Sequence, residues 1–388
     1  MNWNPRVERV QPFRVMHLLE QAQAREAAGH DVIHLEIGEP DFATPRPIIE
    51  AGRQALAEGH TRYTPAGGIP ALREAIAGHY AERFGATVDP ARILVTPGAS
   101  GALLLASQLL VGRGDRVLMA DPTYPCNRHF MALADAEVDC VAVGDDSGWQ
   151  LDAGLVERHW QPATRLAMLA SPSNPTGHVL DAEALRAVAD VVARRDGALL
   201  VDEIYQGLSY DVEPVSAAAV APEAFVVNSF SKYFGMTGWR LGWLVAPEAA
   251  VEPLSRLAQN VFLAAPTPSQ HAALAAFTPA CTAELEERRR ELHRRRDALL
   301  AGLGRLGLAP AVPPQGAFYL WLDVSQYTRD SQAFCQQLLE TENVAITPGV
   351  DFAVRGGEHH VRIAFTNDVA RLEEAVERLG RFLAREGR

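Results

Sequence analysis

The stretch Ser229-Phe-Ser-Lys-Tyr-Phe-Gly-Met-Thr-Gly-Trp-Arg-Leu-Gly242 holds the only lysine of this 388-residue chain; every other one of its 36 Lys and Arg side chains is arginine. On a solvated surface the two residues exchange at little cost, so a single retained amine points to chemistry that a guanidinium cannot perform. A desolvated lysine can lose its proton and become a nucleophile able to form a Schiff base, whereas arginine stays charged. The competing explanation is an arginine-rich composition with one chance survivor, and the neighbouring motifs decide between the two.

Further polar side chains follow apolar runs, the position at which an open α/β sheet presents its ligands. Val95-Thr-Pro-Gly-Ala-Ser-Gly101 leads into Ala102-Leu-Leu-Leu105. Its amides and the Ser100 hydroxyl either form an anion site at a helix N-terminus or simply turn the chain into the helix. The stretch has neither the lysine nor the spacing of a P-loop. Ser171-Pro-Ser-Asn-Pro-Thr-Gly177 carries two prolines that stiffen the chain around Asn174, which either presents its amide to a ligand or caps a turn. Asp202-Glu203-Ile-Tyr205 follows Leu199-Leu-Val201, and a carboxylate at the mouth of a buried sheet needs a partner. A structural arginine or a protonated ring nitrogen would serve. Arg362, in Val361-Arg-Ile-Ala-Phe365, reads by itself as a strand arginine in an ion pair.

These residues need a scaffold. Pro12 opens a first helix with Phe13, Met16 and Leu19 on one face, ending at Gly29, and a strand over 32–37 leads into the rigid loop Gly38-Glu-Pro-Asp-Phe42. Leu72, Ile76, Tyr80 and Phe84 mark an amphipathic helix. Apolar strands are expected at 93–95, 116–120, 137–143, 166–170, 198–201, 225–228 and 241–245, with helices such as 182–195 between most of them. That alternation indicates an α/β fold with a mostly parallel sheet covered by helices on both faces. After about residue 280 the rhythm changes. A long charged helix precedes a strand in Gly316–Leu322, a helix over 331–340, strands over 344–347 and 361–365, and a terminal helix from Ala370. Polar alternation there predicts a smaller α+β domain with one open sheet face. The expected division is an N-terminal arm and part of the small domain at 1–45, a large domain at 46–280 and the small domain at 281–388. The basic run Arg288–Arg296 is expected on the solvated face of its helix, above Leu285, Leu292 and Leu299, with Glu284, Glu286 and Glu291 each four residues before an arginine.

In this order SPSNPTG, DEIY and SFSKYFGMTGWRLG resemble the motifs of the pyridoxal-phosphate-dependent aminotransferases of class I/II, fold type I, and the resemblance runs from about Gly38 to Arg362. The positions of Ser229, Lys232 and Arg240 match the family signature together. The resemblance implies that Lys232 forms a Schiff base with pyridoxal 5'-phosphate and then serves as general acid and base. It implies that Asp202 pairs with the pyridinium nitrogen and that Asn174 and Tyr205 hydrogen-bond the phenolic oxygen. Ala99 through its amide, with Ser100, Ser229 and Arg240, would hold the phosphate, and Tyr124 would stack on the ring. Arg362 would grip the substrate α-carboxylate, assisted by Asn174 and the backbone of Gly38. Tyr63 looks like the residue that reaches the phosphate of the neighbouring subunit's cofactor, which implies a homodimer with shared active sites. Two positions depart from common patterns. Tyr124 stands where many relatives have tryptophan, and Ser100 where some aspartate-using relatives carry a basic residue, which disfavours an acidic donor.

The activity implied is ping-pong transamination between an L-amino acid and a 2-oxo acid. A carbon–sulfur or other β/γ-lyase on the same scaffold starts from the same carbanion, so the motifs leave it open as an alternative. A non-catalytic regulator would need a DNA-binding appendage, for which little of this chain remains outside the scaffold. The formal charge of −12 argues against nucleic-acid and anionic-membrane partners. Cys126, Cys140, Cys281 and Cys335 show no CxxC spacing, which speaks against a disulfide framework or zinc site. Without an apolar run of ~18 residues or a signal-peptide pattern, the expected compartment is the cytoplasm.

Overall fold

The computed structural model describes residues 2–12 and 14–386. Its largest sheet contains seven strands in the order β2-β8-β7-β6-β5-β3-β4. They are β2 (Ile93–Thr96), β3 (Arg116–Asp121), β4 (Glu137–Ala142), β5 (Thr164–Ala170), β6 (Ala198–Asp202), β7 (Phe225–Ser229) and β8 (Gly242–Val245). All run in one direction except β8, which is antiparallel to both β2 and β7. Successive residues along a strand enter opposite cores. In β5, Leu166 and Met168 join one apolar cluster and Ala167 and Leu169 the other, and in β6 Leu200 opposes Leu199 and Val201. A strand buried on both faces requires the uninterrupted apolar runs seen in the sequence. Among the covering helices, Ala182–Arg194 is capped by the Asp181 side chain and buries Leu185, Val188, Val191 and Val192 along one stripe.

The remaining strands belong to two smaller sheets. β1 (Ile33–His34) pairs in parallel with β10 (Val344–Ala345), and β12 (His360–Ala364) lies between β9 (Tyr319–Asp323) and β11 (Thr347–Pro348), antiparallel to both. Three expectations need correction here. The strand expected at 32–37 pairs only through Ile33 and His34. The strand expected at 344–347 divides at Ile346 between two sheets, because Val344 and Ala345 pair with β1 while Thr347 pairs with Arg362. The small sheet has no open face. Tyr319 to Leu322 and Val361 to Ala364 are all buried, since the helix Ser331–Glu342 packs on this sheet while Tyr319 and Arg362 face a cavity.

The first helix spans Arg14–Ala27, and Phe13 lies outside the described residues. The charged helix spans Pro279–Arg305 and buries Leu285, Leu292 and Leu299 as expected. Its basic run is only partly solvated, however. Arg295 donates to Asp41, Glu291 and the Thr366 carbonyl, and Arg296 donates to Asp211 and the Pro314 carbonyl, both arginines being buried. Their long stems let the guanidinium groups reach back across the helix to carbonyl groups of neighbouring loops.

Candidate active site

Because β2, β3, β5, β6 and β7 are parallel, the loops after them leave one edge of the large sheet. These loops carry Ala99 and Ser100, Tyr124, Asn174, Asp202 with Tyr205, and Ser229 with Lys232. The reversed β8 begins at the same edge, so Arg240, just before it, joins them. The sequence-predicted residues Gly38, Ala99, Ser100, Tyr124, Asn174, Asp202, Tyr205, Ser229, Lys232, Arg240 and Arg362 all line one cavity of about 780 Å³. That volume lies within the ~300–1,000 Å³ usual for small-molecule sites. Tyr63 does not reach it; its side chain is 84% exposed.

Lys232 projects from the turn after β7, and its Nζ donates to the Gly38 carbonyl at 2.6 Å. Burial lowers its pKa to about 8, with Arg362 and Arg240 adding to the shift and Glu39 opposing it. Asp202 ends β6 with its carboxylate buried. It accepts from the Ile204 amide at 3.2 Å and, at 3.4 Å, from the side chain of Asn127, and it has no cation in ion-pair reach among the described residues. Burial pushes its pKa up to about 6 against these two donors.

Arg362 is the opposite case, a cation at 2% exposure. It donates to Asn174 Oδ1 at 3.1 Å, the Glu36 carbonyl at 2.7 Å and Thr347 Oγ1 at 3.2 Å, while its Nε has no acceptor. The guanidinium carbon lies 4.2 Å from the centroid of the Tyr319 ring and 4.6 Å from that of Phe352. No carboxylate pairs with it among the described residues. Asn174 donates in turn to the Tyr205 hydroxyl at 3.3 Å, which lies 3.0 Å from that of Tyr319.

Arg240, also lining the cavity, adopts a left-handed backbone with φ 54° and donates to the Thr237 carbonyl. Its guanidinium lies over Gly98, where an added Cβ would come within 2.6 Å of it. Gly98 has φ +70° and starts the helix Gly98–Leu110, whose first turn contains Ala99 and Ser100. Close approach of backbone and guanidinium there requires glycine. Ser229 Oγ donates to the Leu241 carbonyl and accepts from the Ser231 amide.

Tyr319, Thr347, Asn127 and Ser231 join the site without a motif that singles them out. Tyr319 sits in a stretch legible as a strand, but its contact with Arg362 depends on the β9–β12 register. Ser231, one residue before Lys232, was open to detection as a second hydroxyl in the lysine motif.

A mostly parallel sheet with a lysine and an unpaired acid at one edge, and an unpaired arginine facing them from the smaller sheet, defines a class, the enzymes of aspartate aminotransferase fold. Residues 30–379 match the family described as Aminotransferase class I and II, and the chain belongs to that family. It is 41% identical to a valine–pyruvate aminotransferase of Mycobacterium tuberculosis over 96% of this chain and 97% of that one. Identity to an aspartate/prephenate aminotransferase of Thermus thermophilus is 37%, over 98% of each. A crystal structure of an aminotransferase from Mycobacterium tuberculosis superposes with a TM-score of 0.96 at 40% identity, covering 99% of this chain and all of the other. The Thermus thermophilus aspartate aminotransferase with maleate gives 0.92 at 36% identity, over 98% and 99%. The chain is therefore a pyridoxal-phosphate-dependent aminotransferase, and these matches do not favour the lyase alternative. No helix among the described residues is long and apolar enough to cross a membrane.

Proposed function

We propose that the 780 Å³ cavity is the site of transamination and that it takes an L-amino acid and a 2-oxo acid with apolar side chains in turn. One observation carries this reading: an amine and two buried, unmatched charges face the same space. The residues present fit pyridoxal phosphate. Asp202 offers a buried carboxylate to a protonated ring nitrogen, and Asn174 and Tyr205 offer donors to the phenolic oxygen. Ala99, Ser100, Ser229, Arg240 and the N-terminus of the helix Gly98–Leu110 form a cradle for a phosphate. Tyr124 supplies a ring face, and Lys232 the tethering amine. Arg362 then takes the substrate α-carboxylate with Asn174 and the Gly38 backbone.

Pyridoxal phosphate, when bound, supplies an electron-withdrawing ring that accepts the charge left by loss of the α-proton. The chain supplies the rest. Asp202 stays ionised above about pH 6 and so keeps a proton on the ring nitrogen. Lys232, with a pKa near 8, lies close enough to neutral pH both to take the proton from the amino-acid α-carbon and to return it. Arg362 fixes the α-carboxylate and thereby orients the α-carbon toward Nζ.

The apolar preference rests on the lining. Val15, Met16 and Leu19 of the first helix, with Ile37 and Phe130, face the cavity, and its only cations among the described residues are Lys232, Arg240 and Arg362, each already assigned a role. The 41% identical relative is named for valine and pyruvate, whereas other relatives are named for aspartate. The exposed ring of Tyr63 supports a homodimer in which it reaches the partner's cofactor phosphate. The free state of all four cysteines supports a reducing, cytoplasmic setting. The separate sheets support a division into 46–280 and a smaller unit built from 1–45 and 281–388.

A donor-by-acceptor activity matrix on wild type and Lys232→Arg tests the proposal. Wild type should turn over aliphatic donors at least tenfold faster than aspartate, and Lys232→Arg should keep its fold yet lose essentially all turnover. A dominant aspartate activity would overturn the apolar preference, and residual turnover in Lys232→Arg the role of the amine.

A further inference from the structure

Behind the cavity, the residue after Lys232 is held by a second group of charges. The Tyr233 ring is buried, and it lies against Gly207, where a Cβ would come within 2.5 Å of the ring. Gly207 has φ +95° and lies two residues beyond Tyr205. The Tyr233 hydroxyl donates to Glu286 Oε1 at 2.7 Å, across to the long helix Pro279–Arg305. The same carboxylate pairs with Arg83 at 2.9 Å, from the helix Pro70–Phe84, and with Arg289 at 2.8 Å. Arg289 continues to the Ser209 carbonyl, and the Arg83 guanidinium lies 5.1 Å from the Tyr233 ring centroid.

Glu286 thus links two helices, the lysine turn and the turn that follows Tyr205. None of Tyr233, Glu286, Arg83 and Arg289 lines the cavity. Their effect on it has to pass through the backbone. The Lys232 turn leaves β7 and closes through the Gly235 amide on the Lys232 carbonyl at 3.2 Å, with Lys232 lining the cavity and Tyr233 outside it. Fixing the ring fixes the base of the lysine side chain.

We propose that Glu286, acting through the Tyr233 hydroxyl, is a positioning residue that sets where Lys232 Nζ stands in the cavity and relative to Tyr205. This rests on the reading that Lys232 is the reacting amine. Misplacement of a reacting group by about 1 Å costs up to ~10²-fold in rate, so loosening this anchor should act on turnover more than on substrate binding.

The test compares Tyr233→Phe, which keeps the ring against Gly207 and loses only the hydroxyl, with Glu286→Gln. Glu252→Gln, in an exposed pair with Arg256, is the control. The first readout uses cofactor-free protein. Because Lys232 is the only lysine, the pH dependence of amine acylation with acetic anhydride reports it alone once its peptide is separated from the N-terminal one. The groups that act on the amine are Glu39, Arg362 and Arg240, and none is altered. In wild type the midpoint should lie near 8. In both variants it should rise by about half a unit or more, because a loosened amine is better solvated. In the loaded enzyme kcat should fall about tenfold while KM for the amino acid stays within about twofold. Unchanged midpoints and kcat in Tyr233→Phe, alongside an inactive Lys232→Arg, would overturn the positioning role alone. Full turnover by Lys232→Arg would overturn the reading beneath it. Should Glu286→Gln fail to fold, Tyr233→Phe decides.

Discussion

Two arginines buried to almost the same degree show how the cavity differs from the rest of the interior. Arg296, on the long helix, is 6% exposed and Arg362, on β12, is 2% exposed. Both lie near aromatic rings, that of Tyr210 for Arg296 and those of Tyr319 and Phe352 for Arg362. Arg296 then meets two carboxylates, Asp211 at 2.6 Å and Asp297 at 2.8 Å, together with the Pro314 carbonyl. Among the described residues Arg362 meets only neutral acceptors, and its Nε meets none. A buried charge costs several kcal/mol unless it is paired. The pairing of Arg296 is supplied by the fold, whereas Arg362 keeps its charge free for the substrate carboxylate proposed to bind there. Asp202 repeats the contrast with the opposite sign, since two donors, a backbone amide and the side chain of Asn127, satisfy part of its need and no cation among the described residues completes it.

Exchanging each arginine for leucine would break the comparison most directly. Arg362→Leu should lower kcat/KM about 10³-fold, the scale for truncating one side of a buried charge pair formed with ligand. Its unfolding free energy should stay within about 1 kcal/mol of wild type, because relief of an unpaired buried charge offsets the hydrogen bonds lost to Asn174, Glu36 and Thr347. Arg296→Leu should do the reverse. Its partners Asp211 and Asp297 are more than half exposed, so the loss is screened and amounts to about 1–3 kcal/mol of stability, with activity per folded molecule within a few-fold of wild type. Urea unfolding and steady-state kinetics on the two variants check this. If Arg362→Leu proved as unstable as Arg296→Leu, the distinction between a fold-paired and a substrate-paired charge would be lost.

Much of this architecture was legible in the sequence. Lys232 stands out by composition alone, and the apolar runs before Ser171, Asp202 and Ser229 are buried parallel strands whose ends form the site. What was not legible depends on contacts between distant segments. Whether Val344 to Thr347 is one strand or two is decided by β1 and β12, over 300 residues before it and some 15 after it. Arg295 and Arg296 sit in a run whose charge pattern describes a solvated helix face. Only the arrival of Asp41, Asp211 and two loop carbonyls turns them inward. Arg362 carries no local sign of being unpaired, because an unpaired charge is visible only once all its neighbours are known. Tyr63 matches a motif, yet the role proposed for it rests on a second chain.

Asp202 allows a graded test. Its pKa of about 6 in the cofactor-free protein means that the carboxylate is present above that pH and progressively neutralised below it. In the proposed site a protonated ring nitrogen binds the ionised form, so lowering the pH from 7.5 to 5 should weaken cofactor binding by up to about tenfold per unit below 6. Equilibrium dialysis at each pH measures this, and Asp202→Asn should bind more weakly at pH 7.5 and lose that part of the slope. An identical slope in Asp202→Asn would assign the pH dependence elsewhere.

The smallest expected effect separates the two contributions of Tyr319. Its ring lies 4.2 Å from the Arg362 guanidinium, and its hydroxyl lies 3.0 Å from that of Tyr205. Tyr319→Phe keeps the ring and removes one neutral hydrogen bond, worth about 0.5–1.5 kcal/mol, so kcat/KM should fall only about two- to tenfold. Tyr319→Leu also removes the aromatic face that meets Arg362 in place of a carboxylate, adding about 0.5–2 kcal/mol. Its additional loss should appear in KM for the amino acid, because Arg362 is then free to tilt away from the carboxylate position. Equal kinetics for the two variants would mean that the ring does not orient Arg362. The three neutral acceptors at Asn174, Glu36 and Thr347 would then suffice to hold an unpaired guanidinium in place.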